Sequence, residues 1–242
     1  MIWLLGWLWW WVLPIRKTMA IANYRSAFPD RDPGELRRTV GEMVYGYIEL
    51  ALGRRATVHG AHLVADGGIC LAGHGGAWDL GLISAGAAVQ ASIFVRLPAN
   101  PLAAWWIMRK RQQSGLQLLP SSGSALSAYR ALRAGRLLVF VQDQRHNQGI
   151  AVPFFGRPAL TSRGFGVLAY RTGAPLFGAW QYRDERGHHH IEIEKLDIAL
   201  PEDPDAAVLT LTEASQTFYE QKIKQHPHSW LWLHDRWRPL KP

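Results

Sequence analysis

The sequence has a single cysteine, Cys70, which excludes a disulfide framework and any zinc site built from cysteines. Acidic side chains are in deficit, with 19 Asp and Glu against 27 Lys and Arg and a formal net charge of +8. Charged residues make up only 19% of the chain and hydrophobic ones 48%, a balance that excludes wholesale disorder. No apolar run reaches the roughly 18–20 residues of an ordinary spanning helix, which excludes a polytopic membrane protein. What the 242 residues do carry is core material for one α/β domain, or at most two small ones. The basic excess points to anionic partners: phospholipid head groups, nucleic acid, phosphate-bearing cofactors or an acidic carrier protein.

Residues 1–14, MIWLLGWLWWWVLP, have no charged side chain, hold Trp3, Trp7, Trp9, Trp10 and Trp11, and are followed at once by Arg16 and Lys17. Indole favours the bilayer interface, where its ring meets acyl chains and its N–H meets water. A helix of this length reaches only ~21 Å, short of a ~30 Å hydrocarbon core. Residues 1–17 therefore read as a monotopic anchor with Arg16 and Lys17 at the cytoplasmic head groups, and residues 18–242 as the folded domain. Two rivals stand beside it. One is a helix packed into the core. The other is a signal peptide cleaved near Ala20-Ile21-Ala22, although it lacks the positive start and the Leu/Ala-rich centre of such peptides.

Between residues 35 and 51, Leu36, Val40, Met43, Val44, Tyr47 and Leu50 recur at steps of three and four, the mark of a helix with one buried stripe. Asp32 and Pro33 supply its start signal. Beyond Gly53 short apolar runs alternate with helical stretches. Strands are predicted over 69–72, 92–96, 116–119, 137–142, 176–182 and 191–195. Helices are predicted over 79–89, 102–113, 124–134, 162–171 and 206–225. This alternation implies an α/β fold with a mostly parallel central sheet and helices on both faces, and Asp184-Glu185-Arg186-Gly187 reads as a hairpin turn.

The stretch His74-Gly75-Gly76-Ala77-Trp78-Asp79 follows the strand predicted over 69–72. In open α/β sheets, ligands bind beyond the carboxyl ends of the strands. On a continuous helix His74 and Asp79 would lie ~140° apart, but a glycine turn ahead of the helix lets them meet. Asp79 would then accept the Nδ1–H of His74, leave Nε2 free and stabilise the imidazolium. No serine or cysteine beside them offers a nucleophile, so direct attack by a substrate hydroxyl is the simpler chemistry. The plain alternative is a turn histidine and an aspartate favoured by the helix dipole.

The His74-Gly-Gly-Ala-Trp-Asp79 block resembles the histidine–acid motif of glycerolipid-type acyltransferases. Asn100-Pro101 with Arg111 and Gly115, the strand ending Phe140-Val-Gln-Asp143-Gln144, Val152-Pro-Phe154-Phe155-Gly156, Thr172-Gly-Ala-Pro175 and Trp230-Leu-Trp-Leu-His234-Asp-Arg236-Trp237 follow in order. Together they are similar to the lipid A biosynthesis (lauroyl/myristoyl) acyltransferases. The resemblance implies a glycerolipid acyltransferase-like fold and a peripheral place on the cytoplasmic face of a bacterial inner membrane. It also implies O-acylation of a glycolipid from an acyl carrier protein or coenzyme A thioester, with His74 as general base and Asp79 as its partner. Two departures stand out. Fewer residues precede the histidine than in typical members, and Arg145 stands where the family often continues Asp-Gln-Asp.

Acyl transfer needs a base, an oxyanion donor and an apolar slot. Gly75, Gly76 and the turn at Phe155-Gly156 are candidate oxyanion donors. Trp105, Trp106, Phe154, Phe155 and Phe165 are candidate walls of the slot, each otherwise plain core. Arg111, within Arg109-Lys110-Arg111, is a candidate contact for phosphate, or a complement to its helix dipole. Asp143, Arg145 and Arg163 are further candidates for the substrate crevice. No cofactor is called for, and no metal: successive side chains of His188-His189-His190 would point to opposite faces of a strand. Nucleic acid is set aside for want of a basic helix face. The alternatives kept open are another lipid acceptor (a lysophospholipid, a mannolipid or an aryl polyene lipid) and a non-catalytic lipid binder on the same scaffold. If the tryptophans anchor the chain, concentrated salt is expected to leave it on membranes and detergent to release it. Release by salt alone would contradict the anchor.

Overall fold

The computed structural model describes residues 1–95, 100–120 and 125–238. It opens with α1 (Ile2–Trp11) and α2 (Lys17–Ala27), followed by α3 (Leu36–Ala51). Asp32 starts the turn into α3 by accepting the Gly34 N–H at 2.9 Å, with Pro33 next to it. Then come β1 (Thr57–His59), β2 (Gly68–Ala72), α4 (Trp78–Ala88), β3 (Ala91–Val95), α5 (Pro101–Gln113), β4 (Gln117–Pro120) and α6 (Ala125–Arg133). The chain continues through β5 (Leu137–Val141), β6 (Ile150–Phe154), β7 (Arg157–Thr161), α7 (Gly164–Thr172), β8 (Leu176–Arg183), β9 (His189–Lys195) and α8 (Pro204–Gln225).

Among the described residues, seven strands form one sheet in the order β1-β9-β8-β2-β5-β3-β4. Strands β8, β2, β5, β3 and β4 run parallel, and β9 turns back on β8 through the predicted hairpin, carrying β1 with it in its own direction. The predicted strands and helices have counterparts within a few residues. The predicted strand end at Arg96 and helix start at Ser124 lie outside the described residues. Three strands went unpredicted. β1 is too short to show a period. β6 and β7 are interrupted by Pro153 and Pro158, which face each other in the pair and argue against a strand when read locally. Their two-residue loop has φ +49° at Phe155 and +69° at Gly156, the left-handed pair that a tight hairpin turn requires.

Side-chain alternation divides the sheet into two faces. Ile69, Leu71 and Leu138 point into the core shared with α7 and α8, where Phe165, Leu168, Leu211 and Phe218 are buried. Cys70, Leu137 and Val139 point the other way, towards Leu82 and Ala85 of α4. α3 and α5 flank α4, with Leu50 and Ile107 packed on Leu80 and Ile83.

α1 lies on α3, and the approach is close enough that neither Gly6, against the Arg37 carbonyl, nor Gly41, against that of Ile2, has room for a Cβ. The inner face of α1 buries Trp9, whose indole donates to the Ile15 carbonyl at 2.9 Å. Trp3, Trp7 and Trp11, four residues apart, line its exposed outer face. Among the described residues no helix is long and apolar enough to cross a membrane.

The segment after α8 returns across the carboxyl ends of β2 and β5. Asn23 of α2 ties it down by donating to the Trp232 carbonyl at 2.9 Å and the His234 carbonyl at 2.8 Å. Arg236, fully buried, donates to Leu160, Thr161 and Gln216. The helix α2 and the segment after α8 thus meet at the rim of the sheet where the site lies.

Candidate active site

His74 lies two residues beyond the end of β2, and Asp143 two residues beyond the end of β5. The two strands are parallel neighbours with Ala72 opposite Val141, so continuing that register sets His74 opposite Asp143. The Asp143 side chain is wholly buried and accepts three hydrogen bonds. The Nδ1–H of His74 donates to Oδ1 at 2.9 Å, and the His74 backbone N–H and the Trp230 indole N–H both donate to Oδ2 at 2.9 Å. Burial by itself would raise the Asp143 pKa. The His74 charge and the converging donors outweigh it and hold the carboxyl at about 2. For His74, burial pulls the pKa down, but the charge and hydrogen bond of Asp143, helped by the charge of Asp79, leave it above its ordinary value of 6.5. With Nδ1 committed to Asp143, Nε2 carries the ring's accepting lone pair. The Gln144 amide nitrogen lies 3.3 Å from it, and the Trp78 ring stands edge-on to the imidazole at 5.3 Å.

This corrects the pairing expected from the sequence. Asp79 does sit buried in the first turn of α4, but its carboxylate bonds other partners. Its Oδ1 accepts from Arg111 Nη2 at 2.5 Å and Nε at 3.0 Å, and its Oδ2 accepts from the Tyr47 hydroxyl at 3.2 Å. Asp79 therefore reaches His74 through its charge, and joins α3, α4 and α5 at the site. Burial, reinforced by the Asp79 charge, pushes the Tyr47 hydroxyl pKa well up, so Tyr47 stays protonated as a donor.

Beneath α4, a cavity of about 320 Å³ runs along the sheet. Its floor is Cys70 and Ala72 of β2, Ala91 and Ile93 of β3 and Leu137, Val139 and Val141 of β5. Its roof is Gly81, Leu82, Ala85 and Val89, and its mouth carries His74, Trp78, Arg111 and Gln144. Protein interiors hold few voids larger than a water molecule, and a space of this size falls in the range of ligand sites. Its lining is rich in small residues, Ala72, Gly81, Ala85, Ala91 and Ala179, where larger side chains would take up the space. The floor follows β5 for ~13 Å at ~3.3 Å per residue. Cys70 lies in this wall as a buried thiol, its pKa pushed up to about 12 by burial.

The other candidates fall elsewhere. Phe154 and Phe165 are fully buried on the opposite side of the sheet. Phe154 stacks on Trp237, and Phe155 packs edge-on to Phe28. Neither Trp105 nor Trp106 lines the cavity. Arg163 pairs with Asp205 at the start of α7. Arg145 turns outwards to the Arg238 carbonyl and Asn147. Its backbone N–H donates to His234 Nε2 at 2.9 Å, and burial draws the His234 pKa down to about 4, which keeps that acceptor neutral. The candidate oxyanion donors are in part already used. The Gly76 N–H donates to the Ser229 carbonyl, and the Phe155 N–H to Glu220.

The sequence reading missed the roles of Trp230, Tyr47 and Gln144. The signal for Asp143 was present: it stands as far past the end of its strand as His74 does.

A buried carboxylate, a histidine whose Nε2 is left as a proton acceptor and an apolar cavity opening beside it form an arrangement on an α/β sheet that can take a proton from a hydroxyl. The sequence profile of the bacterial lipid A biosynthesis acyltransferases matches residues 51–239, and the chain belongs to that family. Among curated proteins it is similar to the phosphatidylinositol mannoside acyltransferase of two strains of Mycobacterium tuberculosis. It is 27% identical to each over 132 residues, covering 52% of this chain and 40% of theirs. The matched stretch thus spans less than half the length of those relatives. The crystal structure of the 1-acyl-sn-glycerophosphate acyltransferase of Thermotoga maritima aligns over 90% of this chain and 95% of its own, at 15% identity and a TM-score of 0.40.

Because a general base works unprotonated, the acid limb of the kcat/KM profile is expected to lie above pH 6.5, the ordinary histidine value. Asp143→Asn removes the charge that raises the His74 pKa and puts an amide NH2 donor in place of one accepting oxygen, which disturbs the tautomer. The remaining activity is expected to fall by about 10²–10⁴-fold, with its acid limb moved to lower pH. An unmoved limb would show that Asp143 does not act on the titrating group.

Proposed function

We propose that the chain is a membrane-surface O-acyltransferase in which His74, held by Asp143, takes the proton from an acceptor hydroxyl. The observation that carries this reading is the unprotonated His74 Nε2 at the mouth of the apolar cavity, met there only by the Gln144 amide at 3.3 Å, with Nδ1 committed to a buried carboxylate. The acceptor oxygen attacks the thioester carbonyl, a C–O bond forms, and the C–S bond then breaks. The proton held by the imidazolium goes to the departing sulfur. The ring therefore acts first as base and then as acid. The acyl chain of the donor, an acyl carrier protein or coenzyme A thioester, lies in the cavity under α4. Arg111, the one cationic side chain at the cavity mouth among the described residues, serves the phosphates of donor or acceptor. Asp79 holds Arg111 in place and adds its negative charge to the field at His74.

The acceptor class proposed is a glycolipid, lipid A-like as the family description suggests. A mannolipid is the second reading, favoured by the name of the mycobacterial relatives. The place of action is the cytoplasmic face of a bacterial inner membrane, with residues 1–17 embedded from one side and residues 18–242 forming the acyltransferase domain. Exposed Trp3, Trp7 and Trp11 followed by Arg16 and Lys17 support that placement.

Mass spectrometry of membrane lipids from cells with an active copy and with His74→Ala tests the reading. The expected result is loss of one acylated glycolipid, and a fall in the purified transfer rate of about 10²–10⁴-fold. An unchanged lipid profile and rate would overturn it and leave a lipid binder on this scaffold. Ala85→Leu fills the cavity roof and is expected to shift the preferred donor towards shorter acyl chains. An unshifted preference would place the chain elsewhere.

A further inference from the structure

We infer that α5 is a second membrane-contacting element, and that its first two turns insert into the interface of an anionic bilayer on the far side of the His74 mouth from α1. Asn100 caps α5 by accepting from the N–H groups of Leu102 and Ala103 at 3.0 and 3.1 Å. Residues 101–108 then contain no charge, and Arg109, Lys110 and Arg111 follow. This repeats the pattern of the amino terminus, an uncharged tryptophan-bearing run closed by basic residues. The two also share a local contact: Lys17 Nζ lies 5.2 Å from the ring centre of the exposed Trp11, and the Arg109 guanidinium 5.9 Å from that of Trp105. A cation over an indole keeps its charge at head-group level while the ring faces acyl chains.

The inner face of α5 is accounted for by Ile107, buried with Leu50, Leu80 and Ile83. Its outer face is not. Leu102 is 79% exposed and Trp105 63%, three residues apart and so on one side of the helix. Packing runs in the order α1 on α3, α3 on α4 and α4 on α5, and His74 lies in the loop that enters α4. The two tryptophan-bearing helices therefore lie on opposite sides of the α3–α4 pair, with exposed Val44 and Ile48 of α3 between them. A bilayer touching both helices brings its surface to His74 and lets a lipid acceptor approach without leaving the membrane. Only this last consequence rests on the acyl-transfer reading.

The test uses the full chain with an environment-sensitive nitrobenzoxadiazole label on the Leu102→Cys variant, Cys70 being buried. Leu200→Cys, at an exposed site between β9 and α8, is the control. Vesicles are phosphatidylcholine with and without phosphatidylglycerol. The expected result is a blue shift and brightening at position 102 on vesicles containing phosphatidylglycerol, and none at position 200. The Leu102→Ser/Trp105→Ser pair is expected to weaken partitioning onto those vesicles by roughly tenfold or more, from the apolar area withdrawn. Vesicle-bound protein with an unshifted label at position 102 would overturn the inference, as would failure of the full chain to bind. A shift without vesicles that grows with protein concentration would also overturn it, assigning the face to a second copy of the chain. None of these readouts needs acyl transfer, so they stand or fall apart from the His74→Ala result.

Discussion

The contact on which the site depends is the one between His74 and Asp143, and it is a product of strand register. β2 and β5 are parallel neighbours in the middle of the sheet, where ladder hydrogen bonds on both sides resist slippage. A one-residue shift would reverse every side chain of a strand between the α4 face and the α8 face. The pairing that keeps Leu71 and Leu138 in one core and Cys70 and Val139 in the other is therefore the pairing that puts imidazole against carboxylate. A fully buried carboxylate is costly unless its acceptors are met, and the His74 backbone, the His74 ring and Trp230 meet them.

Around that contact α2 and the segment after α8 act as bracing. The closing segment supplies the Trp230 indole to Asp143 and the His234 acceptor to the Arg145 backbone. It is in turn held by Asn23 and by the Tyr24 ring packed edge-on to Trp232 at 5.1 Å. The tryptophan-rich closing motif is thus a structural strap with one polar atom turned to the site. The aromatic block around Phe154 serves that strap, which is why it lies across the sheet from the cavity.

The same economy explains the cavity under α4. An α/β sheet covered by helices normally fills both faces. Here α4 brings Gly81 and Ala85 over a floor that includes Ala72, Ala91 and Ala179, and the apolar space left opens at His74. Asp79 and Arg111 close one side of the mouth as an ion pair while tying α5 to α4. One pair of charges thereby fixes the entrance and the helix whose outer face is bare.

Periodicity in the sequence was enough for the order and type of most elements, because helices and strands bury one face each and their repeats of 3.6 and 2 record it. It was enough for the place of His74, since a glycine turn after a buried apolar run is a local signal, and for the amino-terminal row of tryptophans. It could not say that β5 lies beside β2, because sheet order follows from how crossover helices pack, and so it paired His74 with the carboxylate nearest along the chain. It could not tell which face of the sheet was left unfilled, because alternation separates two faces without ranking them, and so Phe154 and Phe155 were drawn to a site they do not touch. Asp143, Trp230 and the cavity under α4 are joined by contacts between residues far apart in the chain, and only the assembled sheet brings them together.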